Sequence, residues 1–395
     1  MKKWICSFLL LITVCILGLS ACNSSNLKTP PETSTSIISS TATSASPFTR
    51  WESKTVSPEM FFQISIEVTI NKKNYLFCNA INGASAKQGS YNLTIVILDI
   101  TNPDNPIEIS SLQTGQEAHP LALTLKLYDT TLYIITNNNL WIINVSDPNR
   151  PKETGQIPLV GGYMQISAKN AYVLSYNPTN GLIINTFDIS DPVHPIIVGQ
   201  ITIPGTSIVA MDISGSLLFA LAHNGLYIYD ISIPSSLKQI GFLANPFPAP
   251  TISAPEGIPD YFFDMALSGK DLYITAGINQ LLVVDISNPA VPKIVNEFET
   301  REQGTQMIVS GETAYMLACN GAVAFSEGIR NLLTAIDISD PGNLKELNSI
   351  SLPTANTANG FESYANMIEA GNLLYFSDNL SPVFQIMDLS KLTWD

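Results

Sequence analysis

The sequence predicts an all-β fold, a seven-bladed β-propeller of four-stranded antiparallel blades. Two landmarks carry this prediction: an apolar strand that ends in Asp-Ile-Ser or a close variant, here called the anchor, and an aromatic residue early in the preceding strand. Both recur seven times in phase, with 42 to 55 residues between successive anchors, which is the length that a four-stranded propeller blade requires. The anchors begin at Asp99, Asn144, Asp188, Asp230, Asp285, Asp337 and Asp388, and the aromatic residues are Tyr75, Tyr133, Tyr172, Phe219, Tyr273, Tyr315 and Tyr375.

Each repeat divides into four strands, which we call A to D in chain order. Strand A is moderately apolar, as in Ser207–Ile213, and a hairpin turn follows it, often with glycine, as in Gly269-Lys270. Strand B carries the aromatic residue, and strand C is an aliphatic run such as Leu281–Val284 that ends at the anchor. Such runs are typical of strands that are covered on both faces. Strand D follows, as in Ile196–Ile203.

The repeated Asp of the anchor has a structural explanation. An Asp or Asn side chain accepts a hydrogen bond from the backbone N–H two residues on, and a following Pro fixes φ in the turn. A second Pro begins strand D, an edge strand in which one N–H need not pair. Asp191-Pro192-Val193-His194-Pro195 shows the full pattern. We therefore predict that these Asp residues form turns and are not a catalytic set.

These residues resemble the LVIVD-repeat proteins of bacteria, in which a Tyr-bearing strand precedes an aliphatic strand and then Asp-Ile/Val-Ser-Asp-Pro-x-x-Pro. Leu282-Val283-Val284-Asp285 closely matches the motif LVIVD, after which the family is named. The resemblance covers about residues 60–395. The fourth copy departs with Ile233-Pro234, and the last copy lacks the Pro pair. The resemblance implies a propeller fold and a surface protein of undefined activity.

The seventh repeat lacks a strand D, because the sequence reaches Asp395 just after its strand C. Residues 48–56, which precede the first strand A, have the composition of a spare strand. We predict that this N-terminal strand closes the last blade, which removes an open sheet edge.

The first 22 residues predict export and lipid attachment. Lys2 and Lys3 precede an apolar run, Phe8–Leu19, that is too short for a comfortable transmembrane span. The run ends in Leu19-Ser20-Ala21-Cys22, which matches a bacterial lipobox. We predict a lipoprotein signal peptide at residues 1–21, a lipid on Cys22 and an extracytoplasmic location at the cell surface. An ordinary signal peptide and a lone membrane anchor are the alternatives.

Residues 22–47 are rich in Ser, Thr and Pro. Such a segment cannot bury enough apolar surface to offset its ordering entropy. We interpret it as a flexible tether with a reach of roughly 25–30 Å, and residues 48–395 as the propeller.

The chain is acidic, with a formal net charge of −14, and its Lys and Arg residues are scattered singly. Nucleic acid binding needs a basic surface, so nucleic acid is excluded as a partner. Anionic membranes repel an acidic protein, so only the lipid attaches it to the membrane. We interpret Cys78 and Cys319 as small buried side chains, although an oxidising compartment permits a disulfide.

The connections between strands are unequal in length. The A–B and C–D turns are short and uniform, whereas the B–C and D–A connections, which share one face of an up-and-down blade, include long and irregular segments. Variable loops on a rigid scaffold usually carry the binding site; the alternative is that their aromatic residues only pack the loops onto the disc. The candidate residues of this face are Tyr163, Tyr176, Asp260, Tyr261, Phe262, Phe263, Asp264, Arg301, Arg330, Phe361 and Tyr364.

No catalytic pattern stands out. His119, His194 and His223 lack the spacing of metal ligands. Asp260 and Asp264 are a weak Ca²⁺ candidate, since no D-x-D-x-D run surrounds them, and no G-x-S-x-G motif occurs. No catalytic residue or cofactor is predicted.

The sequence therefore predicts a non-catalytic, lipid-anchored interaction module whose partner is an unknown protein or polysaccharide of the cell envelope. A glycan-binding propeller, with the aromatic residues as stacking platforms, is one alternative. A hydrolase or lyase at the channel mouth, with His119 or Asp264 in the reaction, is another.

Overall fold

The fold is a ring of seven four-stranded antiparallel sheets. A computed structural model describes residues 48–52, 60–82, 92–103, 105–117, 124–136, 138–177, 181–204, 208–247, 262–277, 279–319, 331–352, 364–378 and 383–391. All of them belong to one compact unit, Ser46–Asp395, in which six of the seven sheets have the order of a simple meander. The predicted seven-bladed propeller is confirmed. Cys22 and the predicted signal peptide and tether lie outside the described residues.

The blades follow one another along the chain. Blade 1 is β2 (Met60–Ile70), β3 (Lys73–Asn82), β4 (Asn92–Asp99) and β5 (Ile107–Glu117); blade 2 is β6 (Thr124–Tyr128), β7 (Thr131–Ile135), β8 (Asn139–Asn144) and β9 (Lys152–Pro158). Blade 3 is β10 (Gly161–Ser167), β11 (Asn170–Asn177), β12 (Gly181–Asp188) and β13 (Ile196–Thr202); blade 4 is β14 (Ile208–Ser214), β15 (Leu217–Ala222), β16 (Gly225–Asp230) and β17 (Lys238–Ala244). Blade 5 is β18 (Phe262–Ser268), β19 (Asp271–Ala276), β20 (Gln280–Asp285) and β21 (Lys293–Glu299); blade 6 is β22 (Gln303–Ser310), β23 (Thr313–Cys319), β24 (Asn331–Asp337) and β25 (Lys345–Ser351). Blade 7 is β26 (Tyr364–Ala370), β27 (Leu373–Asp378), β28 (Val383–Asp388) and β1 (Phe48–Glu52), and a short 3-10 helix, Leu389–Lys391, follows β28.

The N-terminal strand β1 closes the ring. It pairs antiparallel with β28, so that Phe48 lies opposite Met387 and Glu52 opposite Val383. It is the outer strand of blade 7, in the place that strand D takes in the other blades. The predicted closure is confirmed.

All seven A–B turns are two residues long. Their first residue has a φ between 50° and 61°, which matches the strand twist in a two-residue hairpin. Glycine takes this conformation without steric cost. It occurs in four blades, as Gly215, Gly269, Gly311 and Gly371, and the other blades have Asn71, Asp129 and Ala168.

The anchor residues form the turns that the sequence predicts. In all seven, the side-chain Oδ1 of the Asp or Asn accepts a hydrogen bond of 2.8–2.9 Å from the backbone N–H two residues on. These hydrogen bonds lower the pKa of the anchor carboxyl groups.

The anchor turns, which run from strand C to strand D, also connect neighbouring blades. The Tyr133 hydroxyl of blade 2 donates a 2.9 Å hydrogen bond to the Pro192 carbonyl of blade 3. Asn296 Nδ2 of blade 5 donates one of 3.1 Å to the Pro341 carbonyl of blade 6. Each of these turns therefore rests on the strands of the preceding blade.

The core lies in layers between adjacent blades. The aromatic landmark of one blade meets a long apolar side chain from strand A of the next, as Tyr133 meets Met164 and Tyr273 meets Met307. Cys78 is buried in such a layer and is a free thiol, as the sequence predicts, while the Cys319 side chain lies outside the description. Within the described residues, no helix has the length and apolarity needed to cross a membrane.

Candidate functional site

The connections between strands emerge on two opposite faces. The A–B turns and the anchor turns form one face, here called the anchor-turn face. The A–B turns have one length in all seven blades, and the connections from strand C to strand D have one length in blades 1 to 6. The B–C and D–A connections form the other, the loop-rich face, and they range from the two residues Leu159-Val160 to residues 245–261. Variation in length is thus confined to the loop-rich face, although its longest segments lie outside the described residues.

Tyr176 and Val160 form an exposed apolar pair on this face. Tyr176 lies near the end of β11 and Val160 between β9 and β10, and the Tyr176 N–H donates a 2.9 Å hydrogen bond to the Val160 carbonyl. Their exposed fractions are 56% and 52%. Tyr176 was predicted for the binding face from the sequence, whereas Val160 was missed because it stands alone in a short connection.

The other described candidates differ in exposure. Phe262 is fully buried in the layer between blades 4 and 5, so its side chain stabilises the fold and is not on the surface. Phe263, the next residue in β18, is partly exposed. Arg301 is exposed and pairs with Glu346 at 3.0 Å.

Several candidates fall outside the description. The structure does not describe the candidate residues Asp260, Tyr261, Arg330 and Phe361, and it does not describe His119. The backbone of Tyr364 begins β26, but its side chain is not described.

The two remaining histidines lie on opposite faces. His194 lies in an anchor turn, with Nδ1 3.0 Å from Asp191 Oδ2. His223 lies in the B–C turn of blade 4, where its carbonyl accepts a 2.8 Å hydrogen bond from Asn245 Nδ2.

Tyr163 and Asp264 lie on the strands that line the central channel. Neighbouring A strands contact one another around the ring, and these two residues belong to β10 and β18. Burial raises the pKa of Asp264 to about 7, an effect that the nearby Asp212 carboxyl increases and the 2.8 Å hydrogen bond from the Met307 N–H opposes. Burial, with a smaller effect of Asp264, raises the pKa of Tyr163 to about 12.

Lys126 and Asp212 belong to the same channel and were missed from the sequence. Both stand opposite the aromatic landmark of their own blade, Lys126 beside Tyr133 and Asp212 beside Phe219. Burial lowers the pKa of Lys126 and raises that of Asp212, and each charge partly offsets the effect on the other. The sequence signal for them is the two-residue A–B turn, which fixes the residue on strand A that pairs with the aromatic landmark on strand B.

Polar side chains of the channel strands bond the backbone of the next blade. Thr124 Oγ1 donates to the Gly162 carbonyl at 2.6 Å, and Gln306 Nε2 donates to the Met367 carbonyl at 3.1 Å. Asp264 accepts from blade 6 in the same way. These hydrogen bonds connect neighbouring blades of the ring. They explain why the channel strands carry polar side chains without any catalytic role for those side chains.

The geometry does not assemble a metal centre from the described side chains. No group of three His, Cys, Asp or Glu residues among them could hold an ion. One oxygen of Asp264 is already bonded to the Met307 N–H.

The fold and its uniform turns define a β-propeller repeat protein. The family model for the LVIVD repeat matches residues 91–114, 122–158, 161–202, 210–242 and 262–300. This chain is therefore a propeller that contains LVIVD repeats, as the resemblance implies. Such propellers are generally interaction scaffolds without enzymatic activity. No curated protein matches the sequence.

Solved structures share the architecture at low sequence identity. A chain of a mitotic checkpoint complex superposes with a TM-score of 0.57 at 12% identity, covering 92% of this chain and 100% of its own. Sqt1 of Saccharomyces cerevisiae gives 0.54 at 8% identity, covering 86% and 97%. A protein from Lactobacillus plantarum gives 0.54 at 11%, covering 75% and 97%. At these identities the likeness is one of fold alone.

Proposed function

We propose that this chain is a lipid-anchored, extracytoplasmic binding module without catalytic activity, which docks a protein partner through its loop-rich face. The observation that carries the proposal is the separation of uniform turns from variable connections on opposite faces. A rigid ring that varies only at one face is the arrangement in which loops carry recognition.

The exposed pair Tyr176 and Val160 favours a protein partner. Aromatic residues are enriched at the centres of protein interfaces, where tyrosine is among the side chains that contribute most to affinity. Both side chains are more than half exposed on the loop-rich face. A partner that covered them would remove apolar surface from water.

The course of β1 is consistent with a lipid on Cys22. Phe48 pairs with Met387, next to the last anchor turn, so the chain enters the propeller on the anchor-turn face. A tether from the membrane would join that face. The loop-rich face then stays available to a partner.

The test is capture of envelope proteins by the immobilised chain, followed by direct titration with the purified captured protein. We expect Tyr176→Ser combined with Val160→Ser to weaken binding about tenfold, as loss of an interface residue worth 1–2 kcal/mol would. The matched control is Ile196→Ser with Ile197→Ser, a pair that is equally exposed at the anchor end of β13. Equal weakening by the control would contradict docking through the loop-rich face.

The same experiment separates the alternatives. Retention on washed envelope polysaccharide, with no protein captured, would favour a glycan-binding propeller. Turnover that Asp264→Asn abolishes would favour a channel enzyme. For the lipid, a Cys22→Ser variant is expected to leave the membrane fraction.

A further inference from the structure

A cavity of about 430 Å³ opens between blade 7 and blade 1 on the anchor-turn face. Its volume is within the range of small-molecule sites, which is about 300–1,000 Å³. Both blades contribute: Ala370–Leu373 and Tyr375 come from blade 7, and Ile100 and Pro103 from blade 1. Its polar lining residues are Glu67, Asn74, Thr101, Asn372, Asp388 and Ser390.

Glu67 occupies a position that is apolar in every other blade. On strand A of blades 2 to 7, one residue directly precedes the residue that pairs with the aromatic landmark. This residue faces the preceding blade and is buried there. Blade 1 has a carboxylate where the others have a long apolar side chain, and the cavity opens at that place. The equivalent residues of blades 2 to 7 are Leu125, Met164, Met211, Met265, Met307 and Met367.

The charge of the cavity is negative. Burial raises the pKa of Glu67, and none of the salt bridges between described residues involves this side chain. The other carboxylate of the lining, Asp388, already accepts hydrogen bonds from Ser390 and pairs with Lys391 at 3.1 Å. None of the described lining residues is Lys or Arg, and Ile100 and Leu373 form apolar walls of the same cavity.

We propose that this cavity binds a small organic cation, an alkyl- or arylammonium compound, whose N–H groups donate to the Glu67 carboxylate. The apolar part of the ligand packs against Leu373, Ile100 and Tyr375. A partly desolvated carboxylate without a cation gains most from such a charge-assisted hydrogen bond. The site lies opposite the loop-rich face and does not depend on the function proposed above.

The test is a calorimetric titration of the chain without its predicted signal peptide, with benzylammonium as the probe and benzyl alcohol as its neutral counterpart. We expect saturable binding of benzylammonium and at least about tenfold weaker binding of benzyl alcohol. Glu67→Gln keeps the shape and removes the charge, so it should weaken the ammonium probe by a similar factor. Glu312→Gln, in the exposed A–B turn of blade 6, is the matched control and should bind as the wild type does.

A second variant keeps the proposal testable if Glu67→Gln folds poorly. Glu67→Met introduces the residue that blades 3 to 7 have at this position, so we expect it to fill the cavity, abolish binding and raise the melting temperature. Absence of saturable binding to the wild type, or equal affinity of the Glu67→Gln variant, would overturn the proposal. Binding that appears only after deletion of residues 392–395 would also overturn it. In that case the C-terminal residues of this chain, and not a small organic cation, would be the occupant of the cavity.

Discussion

At the scale of single residues, the carboxyl group of Asp264 makes stability depend on pH near neutrality. Its pKa in the folded protein is about 7, chiefly because of burial, whereas an unfolded Asp titrates near 4. At a pH between these two pKa values, the Asp264 carboxyl group is protonated in the folded protein and ionised in the unfolded chain. The contribution of Asp264 to stability is therefore complete below about pH 4 and is lost as the pH rises through 7.

We predict that Asp264→Asn raises the free energy of unfolding at pH 8 and changes it little at pH 4. Asn keeps an oxygen that can accept the Met307 N–H and carries no charge to desolvate. One pKa unit corresponds to about 1.4 kcal/mol, and partial access to channel water reduces the effect, so we expect about 1–2 kcal/mol. Urea unfolding of both proteins across this pH range is the measurement.

Asp188→Asn is the control for this pH series. Hydrogen bonds from Ser190 lower the pKa of this partly exposed anchor carboxyl. Its contribution to stability therefore has the opposite pH dependence and is lost only below about pH 4. Asn144 forms the same turn in blade 2. A constant difference between wild type and Asp264→Asn from pH 4 to pH 8 would contradict the assignment.

At the scale of single elements, the anchor turns depend on close approach to the preceding strand D. A Cβ on Gly241 of β17 would lie 1.9 Å from the carbonyl oxygen of Pro289 in the next anchor turn. The oxygen belongs to the backbone and cannot rotate away. In blade 2, a Cβ on Gly155 at the equivalent position would meet the Val193 oxygen at an ordinary 3.6 Å.

We predict that Gly241→Ala lowers the free energy of unfolding by about 2–4 kcal/mol, the range for a steric conflict in a packed region. Gly155→Ala should be nearly neutral. Thermal melts of the two variants beside the wild type give the comparison. Similar melting temperatures for the two would mean that the anchor turn of blade 5 can move away from β17.

Elements that repeat could be predicted from the sequence, and single features of one strand could not. The anchors and hairpin turns are local patterns of turn chemistry, and their recurrence located strands B to D. Strand A has no landmark of its own, so Lys126, Asp212 and Glu67 were missed. Phe262 and Phe263 are adjacent, but only the pairing of β18 shows that the first is buried.

At the scale of the whole molecule, the seventh blade is complete only when β1 pairs with β28. Deletion of residues 48–52 removes five paired positions and exposes an edge of blade 7. We predict a marked fall in melting temperature and a tendency to associate through this edge. Differential scanning calorimetry with light scattering measures both.

Deletion of residues 23–46 is the control for the closure prediction. It removes most of the predicted tether and leaves β1 in place, so we expect an unchanged melting temperature. If deletion of residues 48–52 also left the melting temperature unchanged, pairing of β1 with β28 would not stabilise the ring.

The pairing of β1 with β28 also sets the order of events in biogenesis. β1 is synthesised before the other strands of the propeller, but it can pair only once β28 has been synthesised. A nascent chain that lacks β28 therefore cannot close the ring. The chain therefore completes its fold only after β28 has been synthesised. Until then, blade 7 lacks its outer strand and the ring stays open.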